Sequence, residues 1–268
     1  MVSRLSMMNL LCACFFACGQ GRADIGVTTI RAPGASLDVS LRNEADYAVS
    51  QGVRWLVSKQ NADGSWGDTN RVHLTALVLC AARGSQHPFA QDACVNATLW
   101  LNTAKSPLPE DLWTHAWRLL AFSIAIPDTP ERERLLARLQ ENARACLADA
   151  PEEARDFWFE VVASLAPPPQ SPDTPSATGS DRLKAVSDGW PPAFADNRTV
   201  WSLARLINRA GKGHLLRSGN PLDWRTAFAR HLVNAQRRDP DAGSYWDAAD
   251  ENRRIAETAF GILALLDL

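Results

Sequence analysis

Gly52-Val-Arg-Trp55-Leu56-Val-Ser-Lys-Gln60-Asn-Ala-Asp-Gly64-Ser-Trp66-Gly67 is the stretch on which the fold turns. Apolar residues at Val49, Val53, Leu56 and Val57 mark one face of a helix that runs into Gln60. A short polar turn lands on Trp66, and a second, more apolar helix follows through Leu74-Thr75-Ala-Leu-Val-Leu-Cys80-Ala-Ala. The order returns near the C-terminus as His231-Leu-Val-Asn-Ala-Gln236, Gly243-Ser-Tyr-Trp246 and Glu257-Thr258-Ala-Phe-Gly-Ile-Leu-Ala-Leu-Leu266. Two copies of helix, Gln, Gly-Ser, Trp and helix constitute an internal repeat, and a repeat constrains architecture before any single residue does.

Between the copies the apolar spacing stays helical from Leu41 onward. The expected helices pair as Glu44–Gln60 with Val72–Ala82, Phe89–Thr103 with Asp111–Ile124, and Pro130–Leu147 with Pro151–Leu165. Asp111 is a candidate N-cap, and Pro130 and Pro151 suit helix starts. Arg198–Asn208, Trp224–Ala235 and Ile255–Leu268 complete the set. Landmarks in the second member of each pair are Thr75, Thr114, Phe157, Thr199 and Thr258, with gaps of 39, 43, 42 and 59 residues. A period of about 40 with two helices per unit predicts an all-α array of helical hairpins. Helices such as Glu131–Leu147 are amphipathic and belong outside. Leu74–Ala82, Leu119–Ile126 and Gly261–Leu266 are apolar on nearly every side and must be enclosed. Concentric layers, with the second helices inside, follow from that difference.

The chain has 268 residues, enough for one domain with a substantial interior. The expected organisation is a signal peptide over 1–23, an irregular lead-in over 24–43, and one domain over 44–268 with a Pro- and Ser-rich excursion at 166–180. The signal reading rests on Arg4, the apolar run Met7–Cys18 and the small-x-small site Gly21-Arg22-Ala23. Lipidation at Cys18 is the alternative, although Phe15 stands where a lipobox carries Leu. Export to the periplasm or the medium is therefore expected, or a lipid-anchored form of the same protein. No later run suits a transmembrane helix. The formal net charge is −2, and no stripe of Lys and Arg suggests nucleic acid. Cys80, Cys94 and Cys146 lie beyond the signal and are read as free thiols. No metal ligand set and no cofactor motif is visible.

The Gln60, Gly64, Trp66 and Gln236, Gly243, Trp246 segments resemble the repeat shared by squalene and terpenoid cyclases and the protein prenyltransferase β-subunits. The resemblance is strong over 45–82 and 225–268 and architectural between them. It implies an α/α toroid in which inner helices surround a central cavity. It also implies that these six residues brace the ring rather than react. The family ring has six pairs; five are clear here, which leaves a short ring, a gapped one, or a sixth pair.

The activities that the resemblance implies lack their residues in this chain. A cyclase that protonates an alkene needs a strong acid, the middle Asp of Asp-x-Asp-Asp, because an alkene is a very weak base. The nearest segment is Asp239-Pro-Asp241-Ala242. A prenyltransferase needs Asp, Cys and His around zinc, and His73, His87, His115, His214 and His231 are scattered. The thioester motif of complement-like toroids is missing too. Glu257, inside an apolar run, is the one carboxylate that invites testing as an interior acid; the plainer alternative is a solvated first turn. Trp113, Trp117, Phe157 and Trp201 are candidates to line a cavity for a flat or polyene ligand, with core packing as the alternative.

The expected function is thus an exported, non-catalytic or degenerate toroid that binds an apolar small molecule or a partner protein. A terpenoid-processing enzyme with an unrecognised acid is the alternative, and a glycan-handling enzyme on the same ring is a second one.

Overall fold

The computed structural model describes residues 37–104, 111–165, 194–209, 215–217 and 220–268. The expected signal, the Cys18 anchor, most of the lead-in and the 166–180 excursion lie outside the described residues. What is described is all-α with two small β-hairpins. The helices are α1 (Val39–Ser58), α2 (Arg71–Ser85), α3 (Gln91–Thr103), α4 (Leu112–Ala125), α5 (Pro130–Arg144), α6 (Glu152–Leu165), α7 (Asn197–Arg209), α8 (Trp224–Ala235) and α9 (Glu251–Leu266). One hairpin pairs β1 (Leu215–Arg217) with β2 (Asn220–Leu222), and the other pairs β3 (Gln236–Asp239) with β4 (Gly243–Trp246).

Local chemistry explains the helix starts. Helix α1 begins at Val39, ahead of the expected Glu44, because the Asp38 carboxylate accepts from the Leu41 N–H at 3.0 Å. Asp111, Asp223 and Asp250 cap α4, α8 and α9 in the same way, and Thr129 caps α5 with Pro130 at its first position. The segment after Gln236, an enlarged turn by its sequence, folds as the β3–β4 hairpin. Asp239 closes that hairpin by accepting from the Asp241 and Ala242 N–H groups.

Burial follows the expected division between the two kinds of helix. Helix α2 buries every residue from Leu74 to Ala82, whereas α5 buries only Leu136, Leu139 and Ala143. Packing links α2 to α4, α4 to α6, α7 to α9, and α9 back to α2. The remaining step, α6 to α7, is made by Phe157 against Trp201 and by an ion pair between Glu160 and Arg205. These five helices therefore touch in a circuit. Helix α3 lies on α2 and α4, α5 on α4, and α8 on α1, α7 and α9.

Both repeat segments make the same set of bonds. Trp66 Nε1 donates to the Leu56 carbonyl at 2.6 Å, and Trp246 Nε1 donates to the Leu232 carbonyl at 2.9 Å. Each indole thus satisfies a carbonyl in the last turn of the preceding helix, where intrahelical donors run out. The Trp66 N–H donates to Thr75 Oγ1 at 3.0 Å and the Trp246 N–H to Thr258 Oγ1 at 3.2 Å. Those two landmark threonines tie each turn to its inner helix. Gln60 Nε2 reaches the Ala93 carbonyl of α3 at 2.8 Å and the Gly64 carbonyl at 3.0 Å. Gly64, at φ +91, allows the turn to lie against the Asn96 backbone. Gln236 Nε2 reaches the Ala48 carbonyl of α1 at 2.8 Å. The first glutamine passes over α2 and grips α3, and the last one grips α1, the first of the described helices.

That seam between first and last repeats carries further contacts. Tyr245 packs on Trp55 at 5.2 Å, Lys59 lies over Trp55 at 5.3 Å, and Arg254 lies over Tyr245 at 5.3 Å. Glu251 joins both cations, at 3.1 Å to Lys59 and 2.7 Å to Arg254. Asn252 bonds the Asp68 N–H and Thr69 Oγ1.

Candidate functional site

Trp117, Phe157, Trp201 and Phe260 come from α4, α6, α7 and α9 and meet at the middle of the circuit. Their ring centroids stand 4.8 Å (Trp117–Phe157), 5.2 Å (Trp117–Trp201), 5.8 Å (Trp117–Phe260), 5.5 Å (Phe157–Trp201) and 5.5 Å (Trp201–Phe260) apart. A flat ligand between two rings needs about 7 Å between their planes, two carbon contact distances. These four rings touch one another instead and are all buried. Trp113, half-buried, extends the stack outward from Phe157 at 5.1 Å. Three of the four sequence candidates are thus in the centre and the fourth leads away from it. Phe260 completes the cluster without having been singled out.

Trp113 opens onto the end of the circuit where α2, α4 and α7 begin. The Arg198 guanidinium lies over its ring at 4.3 Å. His73, from the first turn of α2, faces Thr114, whose Oγ1 is 3.5 Å from His73 Nδ1. Asp111 and Arg198 are the charged groups acting on the imidazole. Loss of water around the ring, with the like charge of Arg198, outweighs Asp111 and lowers the His73 pKa to about 4. His73 is therefore neutral at pH 7.

Glu257 belongs to the same end. Its Oε2 accepts from the Asn197 N–H at 2.7 Å, and Asn197 Nδ2 donates to the Glu257 carbonyl at 3.0 Å. The carboxylate sits at the start of α7 and satisfies an N–H that the helix leaves open. Burial raises its pKa and Asp196 adds to the rise, against the pull of the Asn197 bond. At the opposite end, Arg205 joins Glu160 and lies over Trp201 at 4.9 Å. Burial there pushes the Asp267 carboxyl up to about 6 despite Arg205 and Trp201.

Gln60, Gly64, Trp66, Gln236, Gly243 and Trp246 lie in the two clasps, and Trp246 comes near the mouth of the circuit, the end where α2, α4 and α7 begin, through Thr258 and beside Asn197. Cys80 and Cys94 are free thiols, and burial pushes both up. Among the described residues no group of three or more His, Cys, Asp or Glu is placed to hold a metal. Among the same residues no helix is long and apolar enough to cross a membrane.

Sequence reasoning passed over Arg198 and His73, but a signal existed. Trp113, Arg198 and Glu257 each stand one residue before a landmark threonine, namely Thr114, Thr199 and Thr258. Equivalent positions in successive repeats arrive at equivalent places around a circuit. Reading that column of the repeat, rather than each helix alone, collects three of the residues around the mouth.

One consequence is a pH dependence. The unfolded chain protonates His73 below about 6.5, whereas the folded chain does so only below about 4. As pH falls through that window the unfolded state binds the extra proton, so stability decreases. The loss is at most about 3 kcal/mol, lessened because part of the ring meets solvent. Urea midpoints of wild type and His73→Gln between pH 7 and pH 4 are expected to converge as the pH drops. Parallel curves would show that His73 is not the group responsible.

Comparison with protein-family models, with curated proteins and with solved structures found no match to this chain.

Proposed function

We propose that the chain is an exported, non-catalytic α/α toroid that binds a partner protein or an apolar ligand at the end where its inner helices begin. The circuit of five helices and the two matching glutamine–tryptophan clasps support the toroid. Arg4, the apolar run to Cys18 and Gly21-Arg22-Ala23 support export.

The packing of Trp117, Phe157, Trp201 and Phe260 is the observation that carries the functional part. An enzyme that folds a polyene inside the ring needs an open axis, and here that axis is occupied by the protein's own rings. Glu257 points the same way. Its bond from the Asn197 N–H favours the ionised form and gives the side chain a structural role at the start of α7. What is left for recognition is the mouth, where the partly exposed Trp113 carries the exposed Arg198 guanidinium on its ring.

Native mass spectrometry of the exported protein tests this. Wild type and Glu257→Gln are expected to carry the same co-purifying molecule or partner, and Trp113→Ala is expected to lose it. Material that is chemically altered only when Glu257 is present would overturn the non-catalytic reading. Equal retention by Trp113→Ala would remove the mouth as the binding face.

A further inference from the structure

The arginines stacked on aromatic rings in this protein are not all alike. Arg71 lies over Trp100 and pairs with Asp63. Arg205 lies over Trp201 and pairs with Glu160. Arg254 lies over Tyr245 and pairs with Asp247 and Glu251. Arg118, near Phe122, donates to the Leu101 and Ala104 carbonyls, and Arg225, over Trp224, donates to Asn208. Arg198 alone in this group is exposed and, among the described residues, has its stack on Trp113 without a carboxylate, carbonyl or amide on its N–H edge.

We propose that the Arg198–Trp113 pair at the mouth is a receptor for a carboxylate carried by a flat apolar group. The inference rests on reading the mouth as the binding face. Stacking on an indole fixes the guanidinium plane and leaves its fork of N–H donors directed sideways, the geometry that grips a carboxylate with two parallel bonds. Trp113 supplies the apolar wall beside it. One face of the indole lies on Phe157 and the other carries Arg198, so the partly exposed ring edge and the outer face of the guanidinium are the flat surfaces it leaves to a ligand.

The surrounding charge disfavours a dianion. His73 is neutral, and the charged groups acting on it are Arg198 and, opposing it, Asp111. Glu257 and Asp196 add negative charge at the same end of the circuit. A dianionic phosphate would meet that charge twice over, so the fork suits a carboxylate better. Helix α2 adds a smaller attraction. Its N-cap residue Asn70 makes no side-chain bond to the first-turn N–H groups, so the positive end of that helix remains uncovered.

Two sources present this chemistry: the free C-terminus of a peptide ending in an aromatic residue, and a small aromatic acid. Calorimetric titration with benzoate, benzamide, N-acetylphenylalanine and N-acetylphenylalaninamide separates them. Each acid is expected to bind at least tenfold more tightly than its amide. N-acetylphenylalanine above benzoate identifies a peptide terminus, and the reverse order identifies a small acid. Arg198→Gln is expected to remove the difference between acid and amide. Arg198→Lys, which keeps charge but not the fork, should retain only a few-fold preference, and circular dichroism of both variants guards against misfolding. Equal binding of acid and amide overturns the carboxylate while leaving the mouth as a binding face. Absence of binding by all four probes overturns the proposal, and the native mass comparison of Trp113→Ala then decides the mouth by itself.

Discussion

Trp246→Ala is expected to lower the unfolding free energy by about 3–5 kcal/mol, the cost of emptying a large buried aromatic site. The indole is 2% exposed and joins three helices at once. Its Nε1 donates to the Leu232 carbonyl at the end of α8, and its backbone N–H is held by Thr258 of α9. Its ring lies so close to Gly261 that a Cβ there would stand 2.8 Å from Trp246 Cδ2, and 3.2 Å separates its Cζ3 from a Cβ built at Gly52 of α1. Truncation removes the packing, leaves the Leu232 carbonyl without its indole donor, and loosens α1 from α9. Urea denaturation followed by circular dichroism measures the effect. Trp66→Ala, which removes the matching clasp, is expected to cost a similar amount. A loss below about 1 kcal/mol for both would mean that the glutamine–tryptophan turns do not hold the helices together.

Gly243→Ala is the second large effect, and its cause is different. Gly243 lies at φ +119, in the region that side chains avoid, and a Cβ would stand 2.5 Å from the Gln51 carbonyl oxygen of α1. Strain of that kind costs of order 1–3 kcal/mol, and the clash with a backbone oxygen adds to it, so about 2–4 kcal/mol is expected. Because the clash is with helix backbone, the β3–β4 hairpin has to move, and the Gln236 bond to Ala48 is expected to break with it. Limited trypsin digestion reads the movement directly, since Arg237 and Arg238 are exposed on β3. Faster cleavage there in Gly243→Ala, with the rest of the chain equally resistant, is the expected pattern. An unchanged digest and midpoint would show that the hairpin is not pressed on α1.

These two residues lie at the seam where the last repeat meets the first. The Gln60 bond to the Gly64 carbonyl could be anticipated from its turn, because both ends of it lie within one stretch of sequence, whereas its bond to Ala93 could not. The Gln236 clasp could be anticipated as a turn, but not as the contact that joins residues 188 apart in the chain. Nothing local to Gln236 states that its partner is Ala48. That assignment depends on how far each hairpin rotates relative to its neighbour, a sum over every helix between.

The mouth shows the same division from the other side. Glu257 was legible as an unusual carboxylate in an apolar run, yet its role was not, because the Asn197 N–H that it accepts belongs to another helix. Arg198 looked like an ordinary polar residue at a helix start. Only when α4 and α7 are packed does its guanidinium come to lie on Trp113, and only then is it apparent which arginines already have partners. Trp113, Trp117, Phe157 and Trp201 were grouped by their pattern as candidates to line a cavity, and their rings touch. Whether such rings leave a space or fill it is a matter of a few ångströms in the distance between helices.

The sequence by itself determined where most helices lie, the Asp111 cap, the enclosed character of the most apolar helices and the two turns, since each of these follows from neighbours within a few residues and from the period of the apolar side chains. Tertiary structure alone decided that the last repeat grips the first, that the aromatic rings of α4, α6, α7 and α9 touch one another, and that Arg198 is exposed on Trp113. Those outcomes depend on distances between helices far apart in the chain, which no local pattern encodes.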